Sequence, residues 1–197
     1  MNILEEFILL LGFSWQMSNL LPFILLFLSS VFVVIFLRKK SKKTTFNFLI
    51  RFLVSFIPLS LYFGFNPVFE SDIYDLSKTI KVEDGASKKN NELVVFSLPN
   101  CPYCLETISL IALLKKRNPD LTVTYKIITH NDGGDIESIL KKSQIKFELL
   151  NKNKYTESLT QGSYPTFVYN DGDKELKIWD NNSFGTKALD FIEDKQR

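Results

Sequence analysis

The sequence predicts an α/β domain with a mixed sheet, preceded by an α-helical transmembrane hairpin. In the later part of the chain, short apolar or β-branched runs alternate with segments of helical periodicity, as in layered α/β domains. The first third instead contains two long apolar stretches, each about as long as a bilayer-spanning helix. The predicted order of elements in the later part is β-α-β-α-β-β-α.

The first strand, helix and second strand of the domain are predicted around a pair of cysteines. Leu93–Leu98 is a short apolar run, typical of a strand that is buried on both faces. Residues 102–117 carry apolar side chains at helical spacing, and Asn118-Pro119 ends that helix. The β-branched residues of 121–129 predict the second strand. This spacing favours a right-handed crossover and a parallel pair of strands.

The next predicted helix follows a turn rich in glycine. Asp132-Gly133-Gly134-Asp135 forms this turn, and Asp135 is the expected N-cap of a helix over Ile136–Lys142. The pattern between Ile145 and Gln161 is ambiguous, and we predict only one further helix there, around Tyr155–Thr160.

The end of the chain predicts a hairpin and a final helix. A turn at residues 162–165 leads into a strand that ends near Tyr169, and residues 170–173 form the hairpin turn. Glu175–Trp179 is the expected antiparallel partner, and Phe184–Lys195 is the expected last helix.

Both cysteines of the chain lie in Asn100-Cys101-Pro102-Tyr103-Cys104. At the start of a helix, Cys101 would lie at the positive end of the helix dipole, beside unpaired backbone N–H groups. Both effects favour the thiolate, which is the reactive form of cysteine. Pro102 suits the first helical position, where its missing N–H costs nothing. The pair therefore predicts a thiol–disulfide exchange site with Cys101 and Cys104 as catalytic residues.

The cysteine pair is less consistent with a metal site or a purely structural bridge. A structural zinc ion needs four ligands, and the chain offers two Cys and the single His130, so no metal site is predicted. A structural disulfide across two residues would close almost no loop and stabilise little. The alternative function is an extracytoplasmic Cu(I)-binding or assembly-factor module that uses the same two thiols.

Two apolar segments predict membrane-spanning helices. Leu20–Leu37 contains 18 residues without a charge, and Phe46–Phe69 is interrupted only by Arg51. Residues 2–16 predict an interfacial or partly inserted helix with Trp15 at headgroup depth. A cleaved signal peptide is excluded, because the N-terminus is acidic and a second apolar stretch follows the first.

The loop between the two spans predicts their orientation. Residues 38–43 carry five cations, and short basic loops stay in the cytoplasm. The domain is therefore expected outside the cytoplasm, in the periplasm, on a multi-pass protein of the cytoplasmic (inner) membrane. Residues 1–66 have a net charge of 6 − 2 = +4 and the rest have 18 − 20 = −2. No basic stripe lies in the domain, so nucleic acid is not an expected partner.

These predictions divide the chain into four parts. They are the N-terminal helix of residues 1–19, the two spans with their cytoplasmic loop of residues 20–69, a linker of residues 70–91 with one ordered piece around Ile73–Ile80, and the domain of residues 92–197.

Two motifs stand out in the later part of the chain. They are Val95-Phe96-Ser97 leading to Cys101-Pro102-Tyr103-Cys104, and Tyr164-Pro165-Thr166-Phe167 further on. Together they resemble the thioredoxin superfamily over about Leu93–Glu193. The resemblance implies a thioredoxin-like fold with Cys101 as the exposed attacking thiol and Cys104 as the buried resolving thiol. It also implies a cis Pro165 facing the cysteines, in a Tyr164-Pro165-Thr166 loop whose Tyr164 backbone pairs with an extended substrate. Tyr103, between the cysteines, is expected to be exposed and to line the substrate groove.

The chain departs from this family at two places. Val95 stands six residues before the first cysteine, where many members carry a buried acid. Cys-Pro-Tyr-Cys is typical of glutaredoxins, but their glutathione-holding residues are replaced by Ser163-Tyr164 before Pro165 and by Asp171-Gly172-Asp173 after it. Glutathione is therefore not expected as a cofactor, and no other cofactor is predicted.

The predicted function is that of a thiol–disulfide oxidoreductase tethered to the lipid bilayer and acting on thiols or disulfides of exported proteins. The motif is compatible with either direction of electron flow. Neither span contains a cysteine, so a separate membrane redox partner is expected to reset the pair.

Overall fold

The computed structural model describes residues 3–39, 45–81, 91–129, 133–170 and 175–196. The helices are α1 (Ile3–Leu10), α2 (Trp15–Lys39), α3 (Thr45–Phe65), α4 (Glu70–Ile73), α5 (Pro102–Arg117), α6 (Gly134–Lys142), α7 (Lys154–Thr160) and α8 (Thr186–Asp194). The strands are β1 (Lys78–Lys81), β2 (Glu92–Ser97), β3 (Thr122–Ile128), β4 (Lys146–Leu150), β5 (Thr166–Asn170) and β6 (Glu175–Trp179).

Several predicted features fall outside the described residues. They are the core of the basic loop at residues 40–43, most of the later linker at 82–90, His130, Asp132, and the hairpin turn at Asp171–Asp173.

The six strands form one mixed sheet in the order β1-β6-β5-β2-β3-β4. β2 pairs parallel with β3, as the strand–helix–strand spacing predicts, and Val95 lies opposite Tyr125 in that pair. β5 and β6 form the predicted antiparallel hairpin, and β5 also pairs antiparallel with β2. The predicted mixed α/β sheet is therefore confirmed, and its predicted elements occur in the predicted sequence, with two further strands among them.

The two strands at the sheet edges are not predicted by the sequence. β1 lies in the predicted linker and pairs with β6, while β4 lies in the ambiguous region and pairs parallel with β3. Every residue of β1 and most of β4 are solvent-exposed, so neither shows the apolar alternation of a strand packed on a core. Both form because a neighbouring strand supplies hydrogen-bond partners for their backbones.

The helix at α6 begins earlier than predicted, and its cap differs. Its N-cap is Gly133, so the prediction of Asp135 was wrong. Glycine has no side chain that could accept a hydrogen bond from the first N–H groups of the helix. The Gly133 N–H itself donates to the Glu137 carboxylate at 3.1 Å, which satisfies one of the free donors at this helix end. The helix predicted around Tyr155–Thr160 is confirmed as α7.

Two apolar clusters cover the two faces of the sheet, because neighbouring strand residues point to opposite faces. The larger cluster packs α5, α6 and α8 on one face and includes Val95, Cys104, Tyr125, Phe167 and Trp179. The smaller cluster, on the other face, consists of Phe96, Ile128, Leu159, Val168 and Ile178.

The N-terminal segment is part of the larger cluster. Trp15 is 2% exposed, and Leu9 is equally buried. The Trp15 indole N–H donates to the Glu193 carboxylate at 2.8 Å. Trp15 was predicted at headgroup depth as part of an interfacial helix; the structure instead packs its side chain into the core of the α/β domain.

Charged groups at the ends of α5 and α8 hold this segment in place. Arg117 forms a 2.8 Å ion pair with Glu193 and also donates to the carbonyl oxygens of Leu9 and Phe13. Asp190 accepts hydrogen bonds from the first backbone N–H groups of α2, including that of Trp15 at 2.6 Å. Burial raises the pKa of Asp190, although these backbone hydrogen bonds oppose the shift. We call Trp15, Arg117, Asp190 and Glu193 the N-terminal clamp.

The apolar helices α2 and α3 run antiparallel and contact each other through aromatic side chains. Phe23 packs edge-on against Tyr62 at 4.9 Å, and Phe27 contacts Phe56 at 6.1 Å between ring centroids. The 22-residue segment Trp15–Phe36 of α2 is long and apolar enough to cross a membrane. The uninterrupted apolar part of α3, Phe52–Phe65, is shorter than a span.

Asp75 ties the segment between α4 and β1 to the sheet. Its carboxylate accepts hydrogen bonds from Lys177 Nζ at 2.6 Å and from Trp179 Nε1 at 3.0 Å. Burial by itself raises the pKa of Asp75, but these bonds and one from Ser77 outweigh it, so the pKa lies below its ordinary value of 3.8.

We expect an Asp75→Asn substitution to lower the free energy of unfolding by about 1 kcal/mol at neutral pH. A lowered folded-state pKa means that the ionised carboxylate stabilises the fold above the ordinary value and that this contribution disappears as pH falls through the folded value. The difference between the two proteins in urea unfolding should therefore shrink as the pH falls from neutral to below about 4. A difference that is constant over this range would contradict the assignment.

Candidate functional site

The two cysteines lie where α5 begins, and they form a disulfide with a Cα–Cα distance of 5.2 Å. Cys101 is the N-cap residue in an extended conformation, and Pro102 occupies the first helical position, as predicted. The Cys104 N–H donates to Cys101 Sγ at 3.2 Å, and the Leu105 N–H donates to the Cys101 carbonyl at 3.1 Å. The sulfur of Cys101 therefore receives a backbone N–H at the positive end of the helix.

The two cysteines differ in exposure. Cys101 is 9% exposed and Cys104 is fully buried against the sheet. Tyr103, between them, is 60% exposed, as expected for a residue that faces solvent at the entrance of the site. Of the two cysteines, only Cys101 retains exposed surface for an approaching molecule.

A loop before β5 faces the cysteine pair. The Tyr164–Pro165 peptide bond is cis, and the Tyr164 carbonyl oxygen lies 3.9 Å from Cys101 Sγ. Thr166 is buried, and its hydroxyl donates to the Ser163 carbonyl at 2.6 Å. Thr166 therefore shapes the loop from inside, while Tyr164 presents its backbone beside the attackable sulfur.

The start of α6 supports the chain just before Cys101. A Cβ atom at Gly134 would lie 2.6 Å from the Asn100 side-chain oxygen and 3.0 Å from the Pro99 carbonyl. Gly134 also has φ of +56°, a conformation that other residues rarely adopt. A side chain at this position would displace the segment that carries Cys101.

The structure reveals two buried hydroxyl groups on the same face of the sheet as α5, which sequence reasoning missed. Ser97 ends β2, and Tyr125 lies in the middle of β3. Neither hydroxyl has a hydrogen-bond partner among the described residues. Tyr125 is a fully buried aromatic residue of β3, and only its position opposite Val95 in the sheet points to another role.

The described part of the chain contains no group of three or more His, Cys, Asp or Glu side chains that could hold a metal ion.

Asn181-Asn182-Ser183 forms a local turn before α8. In this turn the Asp180 carboxylate accepts hydrogen bonds from the backbone N–H groups of Asn182 and Ser183.

The sheet order, the disulfide at the start of α5 and the cis proline facing it define a thioredoxin-like domain with a dithiol–disulfide site. The resemblance of the sequence to the thioredoxin superfamily is thus confirmed at the level of fold. The assignment rests on these strand connections and on the geometry around the two cysteines.

Comparison with known proteins finds solved structures that are similar to this chain, but no matching sequence family. No family model matches the chain, and no curated protein matches it. A secreted Mycobacterium tuberculosis disulfide oxidoreductase homologous to E. coli DsbE is similar at 21% identity over 60% of this chain and 93% of its own, with a TM-score of 0.42.

Two further structures are similar at lower identity. MTB dsbF matches at 13% identity over 66% of this chain and 100% of its own, with a TM-score of 0.44. StoA from Bacillus subtilis matches at 12% identity over 61% of this chain and 99% of its own, with a TM-score of 0.39. All three TM-scores are below 0.5.

Proposed function

We propose that the protein is a membrane-tethered thiol–disulfide oxidoreductase that acts on exported proteins. The observation that carries this proposal is the Cys101–Cys104 disulfide at the start of α5, with the Tyr164 carbonyl 3.9 Å from Cys101 Sγ. A disulfide between two cysteines three residues apart closes a very short loop and stabilises the fold little. A role in thiol–disulfide exchange therefore explains this disulfide better than a role in stability.

The reaction is dithiol–disulfide exchange. A substrate thiolate attacks Cys101 Sγ, because Cys104 is fully buried and cannot be reached. The Cys101–Cys104 bond breaks, its electron pair passes to Cys104 Sγ, and a mixed disulfide joins the substrate to Cys101. A second substrate thiolate then attacks the substrate sulfur of that bond and releases Cys101 as a thiolate. The reverse sequence reduces a substrate disulfide.

The loop at Pro165 and the exposed ring of Tyr103 form the substrate contacts in this proposal. An extended peptide can pair with the Tyr164 backbone, while Tyr103 packs beside it across the cysteine pair. Pro165 and Thr166 hold the loop in its position, with Thr166 acting through its hydrogen bond to Ser163.

The membrane part of the proposal is supported by the apolar surface of the first 65 residues. Segment Trp15–Phe36 has the length of a span, and α3 returns antiparallel beside it. The α1 side chains that do not pack on the domain, together with the residue that follows them, form an exposed apolar face suited to the bilayer interface. They are Leu4, Phe7, Leu10 and Leu11.

In this proposal the basic residues 38–43 lie in the cytoplasm and the thioredoxin-like domain lies outside it, because short basic loops stay in the cytoplasm. The chain's two cysteines are both in that domain, so electrons cannot cross the membrane through its own thiols. A separate membrane redox partner resets the pair, and thiols or disulfides of exported proteins are the substrates.

A Cys104→Ser variant of the full chain should trap those substrates as mixed disulfides. Without the resolving thiol, a bond between Cys101 and a substrate persists, because only a second substrate thiol can break it. We expect adducts on non-reducing gels that disappear on reduction and that form with exported proteins. The double variant lacking both cysteines is the control. Absence of adducts from Cys104→Ser would overturn the proposed activity.

The topology is tested with the same variant, in which Cys101 is the chain's only cysteine. A membrane-impermeant maleimide should label Cys101 in intact cells or spheroplasts, because the domain faces outward in the proposed orientation. Labelling that requires lysis of the membrane would show that the orientation is wrong.

A further inference from the structure

The hydroxyl of Tyr125 is fully buried, and no described residue completes a hydrogen bond to it. A buried hydroxyl without a partner is destabilising, and native structures rarely retain one without a reason. In the disulfide form, this hydroxyl is therefore a buried donor that is not committed to another group.

Tyr125 belongs to the apolar cluster on the face of the sheet that α5 covers. Tyr125 lies in β3 directly opposite Val95, which stands where the thioredoxin superfamily often carries a buried acid. Its side chain reaches that of Thr107. The Thr107 hydroxyl donates to the Cys104 carbonyl at 2.9 Å, and residues three apart on a helix are neighbours on its surface.

The chemistry of Cys104 changes when the disulfide opens. A disulfide sulfur is a weak hydrogen-bond acceptor, whereas a thiolate is a charged one that needs a donor when water is excluded. Cys104 is fully buried, so its thiolate depends on protein donors. Burial raises the pKa of the Tyr125 phenol well above its ordinary value, so the group keeps its proton and acts as a donor.

We propose that the Tyr125 hydroxyl donates a hydrogen bond to the Cys104 thiolate released when the Cys101–Cys104 disulfide opens. The inference rests on the proposed function and specifies how the site stabilises its reduced form. When a substrate thiolate attacks Cys101 Sγ, the electron pair of the broken bond moves to Cys104 Sγ, and the phenol proton stays on its oxygen. Over the full exchange, two substrate thiols are oxidised to a disulfide, and the cysteine pair is reduced.

The test replaces Tyr125 with phenylalanine in the full chain, held in detergent micelles, and measures its equilibrium with glutathione buffers by alkylation. Loss of the donor destabilises the reduced form, and loss of the unpartnered hydroxyl stabilises the disulfide form. Both effects have the same sign. We expect the equilibrium to move about tenfold toward the disulfide, which is a potential about 30 mV more negative.

Tyr169→Phe is the matched control. Tyr169 is equally buried in the same cluster, but its hydroxyl accepts a hydrogen bond from the Gln196 side chain at 3.0 Å. This change should lower the stability of the oxidised and reduced proteins alike, and it should leave the glutathione equilibrium unchanged.

A second measurement reads the thiol directly. In a Cys101→Ala background, the ultraviolet absorbance of the thiolate against pH gives the pKa of the buried Cys104 thiol without a reagent having to reach it, and Tyr125→Phe should raise it. If Tyr125→Phe alters unfolding equally in both redox forms and moves neither the equilibrium nor this pKa, Tyr125 is only structural and the proposal is overturned. A shift caused by Ser97→Ala but not by Tyr125→Phe would also overturn it. Substrate trapping by Cys104→Ser would still stand in both cases, so the proposed function is tested separately.

Discussion

A Cys101→Ser variant of the full chain is expected to lose disulfide reduction of insulin to the uncatalysed rate, a loss of roughly a thousandfold or more. Cys101 is the only one of the two cysteines with exposed surface, and its Sγ receives the Cys104 N–H at the start of α5. A serine hydroxyl keeps the shape and the backbone hydrogen bond, but it cannot form a mixed disulfide. Insulin turbidity in the presence of dithiothreitol measures the loss.

The Cys104→Ser variant is the matched comparison. It also loses turnover, but it retains the first step and accumulates mixed disulfides, whereas Cys101→Ser accumulates none. The unfolding midpoint of both variants should match that of reduced wild-type protein, because neither substitution changes the packing volume appreciably. A Cys101→Ser protein that keeps the wild-type rate would place the reaction elsewhere in the chain.

A Trp15→Ala substitution is expected to lower the free energy of unfolding of the thioredoxin-like domain by about 3–5 kcal/mol. The indole is one of the largest fully buried side chains, although it lies 178 residues from Glu193, whose carboxylate accepts its N–H. Removing the ring opens a cavity against α8 and takes one donor from a buried carboxylate. This loss is a large fraction of the total stability of an ordinary domain.

Two further variants separate packing from hydrogen bonding at this position. Trp15→Phe keeps most of the ring but removes the N–H, and it should cost about 1–3 kcal/mol. Phe13→Ala changes an exposed side chain in the same segment, and it should change stability by no more than about 1 kcal/mol. Guanidinium unfolding in detergent, followed by circular dichroism, measures all three. Equal effects of Trp15→Ala and Phe13→Ala would show that the N-terminal clamp does not contribute to the domain.

The N-terminal clamp also determines where the disulfide lies relative to the proposed membrane tether. Arg117 and Glu193 lie at the ends of α5 and α8, while Cys101 lies at the opposite end of α5. A 16-residue helix is about 24 Å long, so the disulfide is held well away from the contact between the domain and α2. A domain fixed in this way holds its disulfide at a set distance from α2, the proposed anchor.

The site residues show how far local patterns can predict a functional site. The two-residue spacing of the cysteines, Pro102 at the first helical position and the cis Tyr164–Pro165 bond all followed from short motifs, and the structure contains each of them. Thr166 was predicted beside the substrate from the same motif. Its side chain is buried, because the strand it begins lies in the middle of the sheet.

The sequence by itself determined the cysteine chemistry, the parallel pairing of β2 with β3, the antiparallel hairpin of β5 and β6, and the long apolar helix α2. Each of these depends on residues that are close in the chain, so spacing and periodicity report them. Only the tertiary structure decided that Trp15 belongs to the domain core, that β1 and β4 extend the sheet, and that the Tyr125 side chain reaches Thr107 of α5. These features depend on contacts between distant segments, which no local pattern in the sequence records.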